Sequence, residues 1–163
     1  MLVARGSSDN AAIFGRYLLE PAVGRPVALA APSLLTLYDA RVDCRGWLAI
    51  GLGQSGATPE IVDVFARRGR RGARGLAITN DRGSPLAAEG DPVVELGASA
   101  ELAVPATKTF LAQLAAFALV AEALGPVPWE PAALAALPGH VGSVLDDAAR
   151  RARRRASSAT PSG

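Results

Sequence analysis

The feature that most constrains the fold is an alternation of short apolar runs with longer segments of helical pattern. Runs of strand length are predicted at 2–4, 27–30, 47–51, 75–79 and 92–96. They are continuously apolar, without alternation, as expected for strands buried on both faces of a sheet. Helices between such strands predict an α/β fold: a three-layer αβα sandwich with a five-stranded parallel sheet, of the flavodoxin-like or Rossmann-like type.

Helical segments follow most of the predicted strands. The first helix is expected to follow the loop at 6–9 and to end near residue 20, because Pro21 and Gly24 come next. The segment at 107–124 is apolar almost all round, which indicates burial within this chain or under a partner subunit. The remaining helices are predicted at 32–38, 59–68, 86–88, 131–137 and 141–155.

The length of 163 residues, half of them hydrophobic, suits one domain with its own core. We expect this domain to occupy 1–125. Its first strand begins at residue 2, so the front of the domain is expected to be clipped. A proline-rich linker and a C-terminal helix are predicted at 126–155, and a disordered tail at 156–163.

Composition excludes several kinds of protein. The single cysteine, Cys44, cannot form an internal disulfide, which fits a cytoplasmic location. Since the one histidine, His140, is distant in sequence, we expect neither a cysteine nucleophile nor a metal site, and no cofactor is indicated. The most apolar stretch, 110–124, contains Gln113 and Glu122 and is too short to span a bilayer, so a soluble protein without membrane contact is expected.

An arginine run near the C-terminus accounts for the basic balance. The formal net charge is +2, and without this run the remaining chain would be acidic: Arg150, Arg151, Arg153, Arg154, Arg155. Such a run could contact nucleic acid. The simpler interpretation is a solvated helix end, and we expect nucleic acid not to be a partner.

Hydroxyl-rich turns follow three of the predicted strands, where open parallel sheets bind ligands. They lie at 6–10, 53–58 and 79–80, and the similar segment 106–109 begins the longest apolar helix.

The turn at 53–58 has the features of an anion site. Pro59 suits the first helical position and Thr58 the N-cap, so free backbone N–H groups should face the loop. Gly56 would allow close approach of an anion, Ser55 and Thr58 add hydroxyl donors, and Gln54 could bind a sugar oxygen. The alternative is a plain N-cap with a glycine turn. Neither a Walker loop nor a dinucleotide fingerprint is present.

Four segments in order, "ARGSSDNAA", "GQSGATPEIVD", "AITNDRGSPLA" and "AVPATKTF", resemble the sugar isomerase (SIS) domain. The resemblance covers about residues 2–124. It is closest to the first half of the isomerase part of glucosamine-6-phosphate synthase-like proteins. It implies binding of a phosphosugar of the hexose or hexosamine 6-phosphate class.

The resemblance assigns roles by position. The sugar-contacting serine of the family falls on Ser8, the family's Ser-Gln-Ser-Gly-x-Thr loop on 53–58, and a further serine on Ala106. Gly53 and Ala106 therefore each lack a hydroxyl that relatives have. The candidate substrate-binding residues are Ser7, Ser8, Gly53, Gln54, Ser55, Gly56, Thr58 and Thr107.

Catalysis is left open by the same resemblance. Complete enzymes of this type carry a second SIS half with a glutamate base and a lysine, whereas this chain has only Lys108 and the unmatched carboxylates Glu60 and Glu101. No catalytic residue is assigned. Two functions stay open: a sugar-phosphate binding module, or an isomerase or aminotransferase completed by a second half or a partner subunit. A homodimer through the helix at 107–124 is expected.

Overall fold

The computed structural model describes residues 1–101 and 106–158, with 152–158 as backbone alone. The chain forms two compact units, of which the first is Met1–Val127 and the second begins at Pro128.

A parallel sheet organises the first unit, and the predicted α/β class is confirmed. Its strands are β1 (Leu2–Val3), β2 (Leu48–Gly53), β3 (Arg74–Thr79) and β4 (Val93–Glu95), in the spatial order β1-β2-β3-β4. Since all pairs are parallel, every strand ends at the same edge of the sheet.

The described sheet has four strands where five were predicted. At 27–30 there is a single parallel bridge between Leu29 and Leu2. Leu2 N donates to Ala28 O and Ala30 N donates to Leu2 O, each at 2.8 Å. Because β1 is only two residues long, it offers one residue for pairing on this side. Counting this bridge, the segment lies outside β1, which is the flavodoxin-like order.

Helices cover both faces of the sheet. α1 (Ser7–Val23) packs on β1 and β2 and against α5 (Lys108–Leu124). α3 (Pro59–Arg70) packs on the strands from the other face, together with α2 (Ser33–Thr36) and α4 (Pro85–Ala88). The core on that face consists of Val3, Leu35, Ala49, Ile61, Val64, Phe65, Ala77 and Leu86.

The α1–α5 contact is close because Gly15 has no side chain. A Cβ on Gly15 would lie 2.6 Å from Cε1 of Phe117, so the ring rests on the backbone of α1. Ser8 meets Gln113 near the start of both helices, and Gly125 meets Ala22 near their ends. α1 and α5 therefore run in the same direction, with both N-termini at the carboxyl edge of the sheet.

Two prolines, Pro21 and Pro138, were predicted to end helices but lie inside them. α1 continues past Pro21 to Val23, since Gly24 N still donates to Glu20 O at 3.0 Å across the proline. The predicted helices at 131–137 and 141–155 form one helix, α6 (Pro131–Ser158), with Pro138 inside it. A proline removes only one backbone donor, and hydrogen bonds on either side of it can persist.

The predicted boundaries of the domain, linker and tail stay predictions. α6 is assigned through Ser158, and positions 159–163 lie outside the described residues.

The helix predicted at 107–124 is buried only in part within this chain, and its burial under a partner subunit stays a prediction. Leu111 is 49% and Leu119 56% exposed, whereas Phe117 and Ala121 are fully buried. One face of α5 therefore packs on α1 and another is open. Within the described part of the chain, no helix has the length and apolar character needed to cross a membrane.

Candidate functional site

The loop between β2 and α3 leads into a helix whose first turn has no side-chain cap. Thr58 occupies the N-cap position with extended backbone (φ −67°, ψ 112°), and Pro59 follows at the first helical position, as predicted. The Thr58 side chain makes no capping hydrogen bond. Ser55 and Thr58 are exposed, and Ser55 Oγ accepts from Ala57 N at 3.3 Å. The loop thus presents two hydroxyl groups beside the positive end of α3.

Gly56 has a packing role that the sequence did not reveal. Its φ of 62° is in the left-handed region, and a Cβ there would lie 2.6 Å from Ser84 Cβ and 2.7 Å from Thr79 Oγ1. Leu86 N also donates to Gly56 O at 2.9 Å. The glycine therefore lets the loop rest against the start of α4, in addition to any approach of an anion to its N–H.

The turn after β3 supports the same loop. Asn80 N donates to Gln54 O at 3.0 Å, and Thr79 Oγ1 donates to the same carbonyl at 3.3 Å. Asp81 N in turn donates to Thr79 Oγ1. The Gln54 backbone is thereby fixed, while its side chain is partly exposed. Two of the three predicted turns are in direct contact.

The turn after β1 is connected to α5. Gly6 has φ 62° and precedes α1, Ser7 is partly exposed, and Ser8 is 7% exposed. Gln113 Nε2 donates to Ser8 Oγ at 3.0 Å, and Gln113 itself is 1% exposed. Sequence reasoning treated Gln113 only as an interruption of an apolar helix. The sequence did contain a sign of its role, because Gln113 is a lone amide within an otherwise apolar helical segment.

Arg5 is a second residue that the sequence analysis missed. It follows β1, and its Nε lies 3.0 Å from Oε2 of Glu60, in the first turn of α3. The Arg5 side chain is 58% exposed. This ion pair brings the Arg5 guanidinium, which follows β1, to the start of α3. The sequence offered one sign of this role, since Arg5 is a cation directly before the hydroxyl-rich turn at 6–10.

The start of α5 is held by a carboxylate. Thr107 is the N-cap, and Glu101 Oε2 accepts from Thr107 N at 3.0 Å and from Thr109 N and Oγ1 at 3.3 and 3.2 Å. Partial burial raises the pKa of Glu101, but the hydrogen bonds from Thr109 and Thr107 outweigh it and the pKa is lowered overall. Glu101 is therefore a helix cap, which the sequence did not indicate.

Lys108 and Ala106 flank this cap. Lys108 Nζ donates to Ser99 Oγ at 2.9 Å and to Ala100 O at 2.6 Å. These hydrogen bonds connect the start of α5 to the segment that follows β4. Ala106 is partly exposed and Thr107 is exposed. Positions 102–105 lie outside the described residues.

The structure brings only some of the predicted residues into contact. Gly53, Gln54 and Gly56 form one cluster with the turn after β3. Among residues 1–101 and 106–158, no hydrogen bond joins Ser8 or Thr107 to the 53–58 loop. The turn after β1 and the 53–58 loop nevertheless share the carboxyl edge of the sheet, because β1 and β2 are parallel neighbours.

Other features lie away from this edge. An open cleft of about 790 Å³ lies where β2 and β3 begin and holds none of the predicted residues; it is lined by Asp39, Arg41, Val42, Asp43, Arg45, Arg70, Arg71 and Gly72. Cys44 is buried and free. In the described part of the chain no group of three or more His, Cys, Asp or Glu could hold a metal ion. The Arg150 side chain pairs with Asp147 at 2.7 Å.

Comparison with known proteins agrees with this architecture. The family model of the SIS domain matches residues 1–123. Glutamine–fructose-6-phosphate aminotransferase (isomerizing) from Thermus thermophilus is 36% identical over 124 residues, which is 76% of this chain and 20% of that protein. The chain thus spans about a fifth of the length of this curated relative.

Two solved structures are similar. The C-terminal domain of glucosamine-fructose-6-phosphate aminotransferase from Francisella tularensis is 28% identical with a TM-score of 0.67, over 74% of this chain and 34% of that one. Glucosamine-6-phosphate deaminase from Thermotoga maritima is 25% identical with a TM-score of 0.74, over 89% of this chain and 42% of that one. With its parallel sheet, its hydroxyl-rich turns at one edge and a family match over most of its length, the chain belongs to the SIS domain family.

Proposed function

We propose that this chain binds a hexose or hexosamine 6-phosphate at the carboxyl edge of its sheet. The observation that carries the proposal is the α3 N-terminus, where Thr58 occupies the N-cap without capping the helix through its side chain. Its hydroxyl, that of Ser55 and the backbone N–H of Glu60 are thereby available to a phosphate, since Pro59 has no N–H and Ile61 N donates to Thr58 O at 3.1 Å. The partial positive charge of the helix end favours the same ligand.

The sugar would extend from this phosphate toward the neighbouring turns. Gln54 has a partly exposed side chain on a fixed backbone and would bind a sugar hydroxyl. Ser7 and Ser8 lie on the β1 side, and Thr107 begins α5. Gly53 would offer its N–H in place of the missing serine hydroxyl. Arg5, with more than half of its side chain exposed, would add positive charge nearby.

We further propose that the chain by itself does not isomerise or aminate the sugar. The two carboxylates singled out from the sequence are engaged, Glu60 with Arg5 and Glu101 with the start of α5. A general base must reach the proton that it removes and hold a suitable pKa, and the pKa of Glu101 is lowered. Since relatives are an aminotransferase and a deaminase, the alternative is an isomerase or aminotransferase that a second SIS half or a partner subunit would complete.

A homodimer through α5 and a cytoplasmic location complete the proposal. Leu111 and Leu119 leave an apolar stripe of α5 open in the single chain, and a second copy would cover it. Cys44 is buried and not in a disulfide, which is compatible with the cytoplasm.

The test is a titration followed by backbone amide NMR shifts. Glucosamine 6-phosphate and fructose 6-phosphate are added separately, with the unphosphorylated sugars as controls. We expect Ser8, Ser55, Gly56 and Thr58 to shift only with the phosphorylated sugars, and Ser55→Ala to weaken the response. A folded sample without shifts at millimolar ligand contradicts the proposal. Product formed by the wild type but not by Ser55→Ala would establish the enzyme alternative.

A further inference from the structure

The hydrogen bond between Ser8 and Gln113 has a defined polarity. The side-chain nitrogen of Gln113 carries only donors, so Ser8 Oγ is the acceptor in this 3.0 Å contact. Among the described residues this is the only hydrogen bond of the Ser8 hydroxyl. Its own hydrogen is therefore left to donate. Ser8 lies in the first turn of α1, at the carboxyl edge of the sheet.

A glutamine at position 113 costs stability in the free protein. Its Oε1 is buried and has no hydrogen-bond partner among the described residues. A buried polar atom without a partner is unfavourable for stability. A side chain such as Met or Leu would fill the same place on an apolar helix without that penalty. Packing alone therefore gives no reason for an amide here.

The amide is also held in place. α1 and α5 approach closely where Phe117 rests on Gly15, two turns along α1 from Ser8. Gln113 is 1% and Ser8 7% exposed, so water competes little for their contact. The Gln113 amide thus donates to Ser8 from the interior of the protein, on the side away from solvent.

We propose that Gln113 is a positioning residue that fixes the Ser8 hydroxyl as a donor toward an oxygen of the bound sugar phosphate. The inference rests on the proposed function and deepens it. By occupying a lone pair of Ser8, Gln113 prevents the hydroxyl from turning inward as a donor. The site then favours ligand groups that accept at this point, such as a phosphate, carbonyl or hydroxyl oxygen.

A double-mutant cycle tests the coupling. We expect Ser8→Ala and Gln113→Met each to weaken glucosamine 6-phosphate binding about tenfold by calorimetry, and the double variant to bind no worse than Ser8→Ala alone. Full, additive losses would show that Gln113 acts separately and would overturn the inference. So would wild-type affinity in a folded Gln113→Met protein.

Gln113→Glu tests the polarity itself. A carboxylate accepts, so it would turn the Ser8 hydrogen inward, and we expect binding to fall at least as far as in Gln113→Met. Retained binding in a folded Gln113→Glu protein would mean that Ser8 is the donor in this contact, which contradicts the proposal.

A measurement without ligand separates the two proposals. The side-chain NH₂ protons of Gln113 are observed by NMR in the free protein and again in Ser8→Ala. We expect one of them to shift and to exchange faster with water in the variant; unchanged signals refute the inference whatever the binding results. If the wild type binds none of the sugar phosphates, the proposed function fails, and the ligand-directed role of Gln113 fails with it even where the NMR signals respond.

Discussion

At the residue scale, Gly53 is the position in the 53–58 loop where the sequence resemblance predicts a missing serine. A Cβ at Gly53 would lie 3.5 Å from Gly56 Cα and 3.6 Å from Leu86 Cδ2, which is ordinary contact. A serine should therefore fit without moving the loop. We expect Gly53→Ser to add one hydrogen bond to the phosphate, about 1.5–3 kcal/mol, and to tighten fructose 6-phosphate binding in calorimetry roughly ten- to hundredfold.

Gly53→Ala is the matched control for this substitution. It makes the same change to the backbone and adds no hydroxyl, so its affinity should stay near that of the wild type. Equal affinities of the serine and alanine variants would show that position 53 does not face the phosphate.

Gly56 leads to a prediction about stability. Alanine there would combine a left-handed φ of 62° with a Cβ directed at Ser84 and Thr79. We expect Gly56→Ala to lower the free energy of unfolding by about 1–3 kcal/mol, measured by urea denaturation. The control is Gly69→Ala, in α3 with open space around it, which should raise stability by up to about 1 kcal/mol. An unchanged Gly56→Ala midpoint would contradict the packing role.

The residues that could be predicted from the sequence are those whose role depends on near neighbours. Thr58 and Pro59 were placed at the start of a helix because capping preferences act over a few residues. Gln113 was missed because its partner lies 105 positions away. Arg5 was missed for the same reason, since it meets Glu60 only after β1 and β2 have paired.

At the element scale, the start of α5 depends on the charge of Glu101. Its carboxylate accepts three hydrogen bonds from Thr107 and Thr109, and its pKa is lowered from the ordinary value of 4.5. A lowered pKa in the folded state means that the contribution is complete above pH 4.5 and is lost as the pH falls through the folded-state pKa. We expect Glu101→Gln to be less stable than the wild type at pH 7.

Denaturation at several pH values checks this expectation. The difference in unfolding free energy between the wild type and Glu101→Gln should shrink as the pH is lowered from 5 toward 3. Glu89→Gln, which replaces an exposed carboxylate after α4, serves as the control for removing one negative charge elsewhere in the chain. A difference that stays constant with pH would mean that the charge of Glu101 does not hold α5.

The strands and helices differ in how well the sequence predicted them. β2 and β3 are six-residue strands paired along their whole length, and their apolar stretches were enough to predict them. The strand predicted at 27–30 has the same apolar character, but its neighbour β1 is too short to pair with more than one of its residues. Pro138 was taken as a break because local rules disfavour proline inside a helix, yet α6 continues through it.

At the scale of the whole molecule, sheet order decides which turns can act together. β1, β2 and β3 are neighbours, so the turns that follow them share one edge although they are about 25 to 45 residues apart in sequence. The sequence predicted that edge from the parallel topology alone. It did not predict that only two of the turns touch, because that depends on the packing of Gly56 against α4.

The open face of α5 leads to the last prediction, a dimer that the single chain needs in order to cover apolar surface. Leu111 and Leu119 lie eight residues apart and so on one side of the helix, and about half of each side chain is exposed. We expect the wild type to sediment as a dimer and the double variant Leu111→Glu, Leu119→Lys to sediment as a monomer in analytical ultracentrifugation.

The choice of control makes this result specific. Leu37 is 77% exposed and follows α2 on the opposite face of the sheet, so Leu37→Glu adds a charge without touching α5 and should leave the dimer intact. A monomeric wild type would rule out the proposed homodimer. A dimeric double variant would instead place the interface elsewhere. Because α5 begins at Thr107, beside the proposed sugar site, loss of the dimer should also weaken glucosamine 6-phosphate binding if the partner contributes to that site.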